Sequence, residues 1–162
     1  MMKHPPWPLL AVTVAVAACS CLEPRKPEVA AAATRPGAPH TDRNCRTGDA
    51  CVVFVDVTDC SAKGGVSVDA SQLGILTETR NLDIYWVIRT EGYEFTRDGV
   101  KFKDDSYKRE FDHPHPGRGV YSWRDRNDAG GDPFRPYLYA VKVAKADGTQ
   151  CVPLDPTIIN DM

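Results

Sequence analysis

Cys51 and Cys60 bracket one alternating segment, CVVFVDVT at 51–58, and their placement constrains the fold of this chain more than any other feature. Val53, Val55 and Val57 fall on one face of such a segment and Phe54, Asp56 and Thr58 on the other. β-Branched residues at a period of two specify a strand. At about 3.3 Å of rise per residue the two cysteines stand roughly 30 Å apart, whereas a disulfide needs Cα atoms within about 7 Å. Neither can close onto the other, so each must find a partner elsewhere. Cys45 and Cys151 are the other cysteines of this region, and two connectivities remain. The simpler joins Cys45 to Cys51 across the loop holding Gly48, and Cys60 to Cys151 across the domain. The other brings Cys45 back along the whole strand. A zinc site fits poorly, because these spacings hold no Cys-x2-4-Cys pair.

Further strand patterns follow: VSVD, LGILTE, LDIYWVIRT, YEFT, VKF, VYSW and YLYAVKVAKA, separated by Gly, Asp, Asn and Pro. Hairpins are expected around Arg97-Asp98-Gly99 and Ala146-Asp147-Gly148, since Asp-Gly supplies the positive φ that tight turns need. Short strands at this spacing predict an all-β domain over 45–162, an antiparallel β-sandwich. The run IYWVI, VYSWRDRN, YLYAVKV and LDPTIIN resembles small bacterial Ig-like or cupredoxin-like sandwich proteins. That resemblance implies that Trp86 and Trp123 fill the space between sheets.

Upstream, Lys3 and His4 precede an apolar run from Leu9 to Ala18, closed by Glu23, Arg25 and Lys26. The run is too short for a membrane span, which takes about 20 apolar residues, and suits a signal segment. Val16-Ala17-Ala18-Cys19 resembles the lipobox of bacterial lipoproteins. The resemblance implies a signal peptide at 1–18, cleavage between Ala18 and Cys19, and lipidation of Cys19. Cys21 is the weaker candidate, because Cys19 and Ser20 would stand where small residues are needed. Ser20 after the lipidated residue resembles lipoproteins passed to the outer membrane. Residues 19–44, with four prolines beyond Cys21 and no aromatic side chain, read as a disordered tether. Six cysteines in 162 residues fit the same oxidising destination, with Cys21 lacking an evident partner.

A net charge of -2 and a pI near 6.1 provide no basic field for nucleic acid. Asp112, His113 and His115, in EFDHPHPGRG, are the candidate metal ligands, in a loop that Pro114 and Pro116 keep extended. A blue-copper pattern is broken, because no histidine follows Cys151. DRNDAGGD at 125–132 starts like a calcium loop, with Asp125, Asn127 and Gly130 at positions 1, 3 and 6. Ala129 and Pro136 occupy positions that need ligands, and a turn explains the segment as well. No nucleophile elbow, zinc-protease motif or phosphate-binding glycine loop is present, and pairing Ser122 with His113 is too common a coincidence to make a catalytic pair. The chain therefore reads as a non-enzymatic interaction module without cofactor, held to the membrane by its lipid and facing a protein partner in the envelope. The alternatives are a periplasmic metal-binding protein and an inhibitor of a toxin or hydrolase. Two polar segments, 103–119 and 124–136, flank VYSW and are expected at opposite ends of the domain.

Overall fold

The computed structural model describes residues 41–46, 48–76, 78–128 and 134–160. Cys19, Cys21, the signal segment and the tether up to residue 40 lie outside the described residues. The described residues before Cys45 make contacts with the rest of the domain. Asp42 accepts hydrogen bonds from the backbone of Ser71 (2.8 Å) and Gln72 (3.0 Å), and Arg43 pairs with Asp69 at 2.7 Å. A polar composition reads as linker until partners 26 to 30 residues along the chain satisfy it.

The described chain is all-β apart from one 3-10 turn, and its strands form two five-stranded sheets. The first contains β1 (Arg43–Cys45), β4 (Gln72–Ile75), β10 (Thr157–Asn160), β9 (Arg135–Lys145) and β6 (Tyr93–Phe102), in that spatial order. The second contains β3 (Val66–Val68), β2 (Cys51–Val57), β5 (Leu82–Ile88), β8 (Val120–Asp125) and β7 (Phe111–His115).

The expectation of purely antiparallel pairing is corrected, because both sheets are mixed. β2 runs parallel to β5, and β4 runs parallel to both β1 and β10. Parallel neighbours need a crossover, and here the crossover is a visit to the other sheet. Between β2 and β5 the chain forms β4 in the first sheet, and between β1 and β4 it forms β2 and β3 in the second.

The expected hairpin at Arg97-Asp98-Gly99 is also corrected. The chain runs on as one ten-residue strand, β6, whose register against β9 shifts between Phe95 and Val100. This is a bulge, in which extra residues bend one strand without reversing it. Gly99 serves close approach here, since a Cβ at that position would stand 2.6 Å from the Cβ of Phe95. The second hairpin forms as the Asp-Gly pair indicates. Gly148 has φ +88°, its N–H donates to Lys145 O at 2.9 Å, and Ala144 bridges Gln150.

Inward side chains of both sheets meet in one core. Trp86 of β5 lies edge-on to Tyr139 of β9 at 5.4 Å, its indole N–H donating to the phenol oxygen at 3.2 Å. Burial holds the Tyr139 phenol far above the ordinary tyrosine range. Trp123 is buried as well and donates to Val100 O at 3.0 Å, so each indole has the polar partner a buried tryptophan needs. Phe102 sits amid the aromatic rings, 4.8 Å from Tyr107, 4.4 Å from Phe111 and 5.4 Å from Trp123.

Of the two cysteine connectivities, the simpler is present. Cys45 bonds Cys51 and Cys60 bonds Cys151, with Cα atoms 5.5 and 4.3 Å apart. Cys45 is in the first sheet and Cys51 in the second, while Cys60 follows β2 and Cys151 follows β9. The first bond therefore ties a strand of one sheet to a strand of the other, the second ties the turn after β2 to the segment after β9, and the two act near the two ends of β2.

Candidate functional site: a groove on the second sheet

Alternation along β5 and β8 sends Asp83, Tyr85 and Val87, and likewise Val120, Ser122 and Arg124, away from the core that Ile84, Trp86, Tyr121 and Trp123 fill. Register assembles these outward residues into rows. Asp83 stands opposite Arg124, which stands opposite Asp112 on β7. Tyr85 faces Ser122, which faces His115, and Phe54 leads through Val87 to Val120. An ionic row, a mixed row and an apolar row thus lie side by side.

A groove of about 450 Å3 opens over this face, with Tyr85, Val120 and Ser122 along it, His115 and Pro116 at one side, and the Asp83–Arg124 pair at its rim. Tyr85 is 37% exposed and Val120 44%. Arg124 grips Asp83 through two hydrogen bonds of 2.9 and 3.2 Å, and those bonds raise its already high pKa. An exposed pair of this kind adds little stability, but it fixes the orientation of both side chains at the rim. On the apolar row, the guanidinium of Arg89 covers the Phe54 ring at 4.9 Å and pairs with Asp56.

The candidate metal ligands do not act together. EFDHPHPGRG contributes an edge strand, β7, rather than a loop. At its centre His113 takes φ +49°, which breaks the alternation that would have put His113 and His115 on one side. His113 Nδ1 lies 2.6 Å from the Asp112 carboxylate, while His115 belongs to the groove opposite Ser122. The serine's neighbour is therefore His115 and not His113. Among the described residues, no three His, Cys, Asp or Glu side chains form a metal-binding group.

The sequence matches none of the protein-family models and none of the curated proteins compared with it.

The two polar segments do not sit at opposite ends throughout. Because β7 lies antiparallel beside β8, Phe111 pairs with Asp125, and the middle of one segment meets the start of the other. Arg126 N donates to Glu110 O at 2.8 Å, and Asp128 N donates to Glu110 Oε2 at 3.1 Å. The 3-10 turn Asp105–Arg109, capped by Asp104, delivers Glu110 to this position. Ser106 holds the carboxyl of Asp104 below its usual range. Only the stretch that follows His115 reaches the other end of β8.

Asp125, treated in the sequence as a turn residue, is fully buried, as are Glu110 and Asn160. Burial, with the charge of Glu110 adding to it, pushes the Asp125 carboxyl up to about 7 against the hydrogen bonds it accepts. A readable signal existed for it: Tyr121, Trp123 and Asp125 share one parity along β8, so a strand continued two residues past VYSW points Asp125 inward.

Proposed function

We propose that this chain is a lipid-anchored, non-enzymatic binding module of the bacterial envelope, in which Cys19 carries the anchor and residues 19–40 serve as tether. The two sheets, sharing one core, are read as a sandwich of Ig-like or cupredoxin-like kind. The carrying observation is the groove on the outer face of the second sheet, where exposed Tyr85 and Val120 lie beside an oriented ion pair. An aromatic platform with a charged rim is the usual form of a protein-binding hot spot. The occupant is a protein that lays an apolar anchor side chain on Tyr85 and Val120 and meets the Asp83–Arg124 pair with polar groups. Two disulfides support the export half of the reading, since such bonds persist in oxidising compartments.

The groove is tested by comparing variants in capture from envelope extracts. Tyr85→Ala and Val120→Asp should each weaken the same captured partner by roughly 30-fold, the loss expected when a hot spot of about 2 kcal/mol is removed. Leu138→Ala, equally exposed but on the first sheet, should leave it unchanged. Equal loss in all three variants, or in none, rejects the groove. The anchor is tested separately with labelled fatty acid. Cys19→Ser should abolish acylation and leave an unprocessed precursor, whereas Cys21→Ser should retain both label and processing. Label that survives in the first variant and vanishes in the second moves the anchor to Cys21.

A further inference from the structure

The outer face of the second sheet carries an apolar patch wider than the groove. Val52 and Phe54 on β2 alternate away from the core, as do Tyr85 and Val87 on β5 and Val120 on β8. Register puts Val52 beside Tyr85, and Phe54, Val87 and Val120 in the next row. These five side chains span three neighbouring strands, and none is fully buried.

Ion pairs close the patch at both ends of β5. At its start Asp83 holds Arg124, and just past its end Arg89 holds Asp56, with Nε at 3.1 Å. All four charged side chains remain partly exposed, so each can take a further neighbour of opposite sign. Along β5 the outward order is therefore acid, Tyr85, Val87, base. Such an order is self-complementary. A two-fold axis lying across the strands at the level of Trp86 turns it end for end, so that acid meets base at both ends and apolar meets apolar between them. A different partner would have to present the reverse order on its own surface, whereas a second copy does so by symmetry.

We infer, resting on the reading of the groove as a protein-binding surface, that its partner is a second copy of this chain, held face to face with the two β5 strands antiparallel. Tyr85 then meets Val87 of the partner subunit. Asp83 gains Arg89 of the partner subunit, and each end of the interface becomes an alternating series of four charges, Asp56 and Arg89 from one protomer and Asp83 and Arg124 from the other. The exposed Val120 of each protomer comes to stand over the Ser122 row of the other, between Tyr85 and His115, and fills the groove. Sheets stacked face to face cross at about 30°. The ends of β5 are then offset by about 5 Å, which the long arginine side chain spans.

Four strands at about 4.8 Å by seven residues at about 3.3 Å give a flat face of roughly 440 Å2 per protomer. That size belongs to reversible complexes, with a dissociation constant of roughly 1–100 μM.

The full chain, kept in density-matched detergent, is followed by sedimentation equilibrium over a concentration range that brackets that constant. A monomer–dimer equilibrium is expected. Asp83→Arg and Arg89→Asp should each weaken it by about tenfold or more, because each sets like charges against one another at both ends. Mixed in equal amounts, the two variants should regain about tenfold in affinity, since positions 83 and 89 then oppose each other with opposite signs. Leu138→Asp, on the first sheet, should leave the dimer unchanged. Recovery on mixing also shows that both variants fold. An unmodified chain that stays monomeric throughout overturns the second copy as partner. The groove is then judged separately, by whether Tyr85→Ala still reduces capture of an envelope protein. Dimers weakened by both variants but not restored in the mixture overturn the antiparallel arrangement. Dimers that neither variant weakens, or that Leu138→Asp weakens equally, place the contact on another face and overturn the inference.

Discussion

Phe102→Ala should remove about 3–5 kcal/mol from the stability of the domain, the range for deleting a large aromatic side chain from a packed core. Phe102 is only 5% exposed and contacts rings from several elements: Tyr107 of the 3-10 turn, Phe111 of β7, Trp123 of β8, and Tyr137 and Tyr139 of β9. No neighbour can collapse into the vacated space without leaving another contact. Lys101→Ala, one residue away and pointing to solvent, should stay within about 0.5 kcal/mol. Urea melts of the two variants check the contrast. A loss below about 1.5 kcal/mol for Phe102→Ala would mean that the ring cluster is less tightly packed than described.

The second large effect concerns the cysteines. Replacing Cys60 and Cys151 together with alanine should cost about 4–5 kcal/mol, because the bond closes a loop of 91 residues and the unfolded chain loses conformational freedom with loop length. The pair Cys45 and Cys51, separated by 6 residues, should cost about 2 kcal/mol on the same argument. A typical domain is stable by only about 5–15 kcal/mol, so the first double variant should melt near working temperatures while the second remains folded. All four cysteines are buried, so packing losses are shared and the difference isolates the loop term. Equal losses would show that strain or packing, rather than loop closure, decides the outcome.

Much of this architecture was legible in the strands that alternate. Val53, Val55 and Val57 face the core as their period requires, and the turn at Asp147-Gly148 lies where its two residues put it. What was not legible depends on pairing at a distance. β7 carries Pro114, which reads as a loop, and an edge strand tolerates it because one side of its backbone has no partner to lose. Asp98-Gly99 has the sequence of a turn, yet β9 is long enough to pair with both halves of β6, and a bulge absorbs the excess. Parallel pairing left no mark in the sequence at all, because alternation is the same in either direction. The groove was illegible for a related reason. Asp83, Tyr85, Ser122 and Arg124 each look like ordinary outward residues of their own strand, and only the β5–β8 register makes them a surface. The burial of Asp125 with Asn160 was not read because Asn160 is far from Asp125 in sequence and acidic residues are ordinarily counted as surface.

The two disulfides also determine how this domain would carry a mechanical load. A pull applied between Thr41 and Asn160 passes along the backbone to Cys45, across to Cys51, along β2 to Cys60, across to Cys151 and out through β10. Residues 61–150 lie off that covalent path. The chain can therefore be drawn out to only about 85 Å, against roughly 400 Å for the same residues without cross-links. Both faces of the groove, on β5 and β8, belong to the shielded portion. A partner seated there would feel no tension from the ends of the chain until a disulfide was reduced.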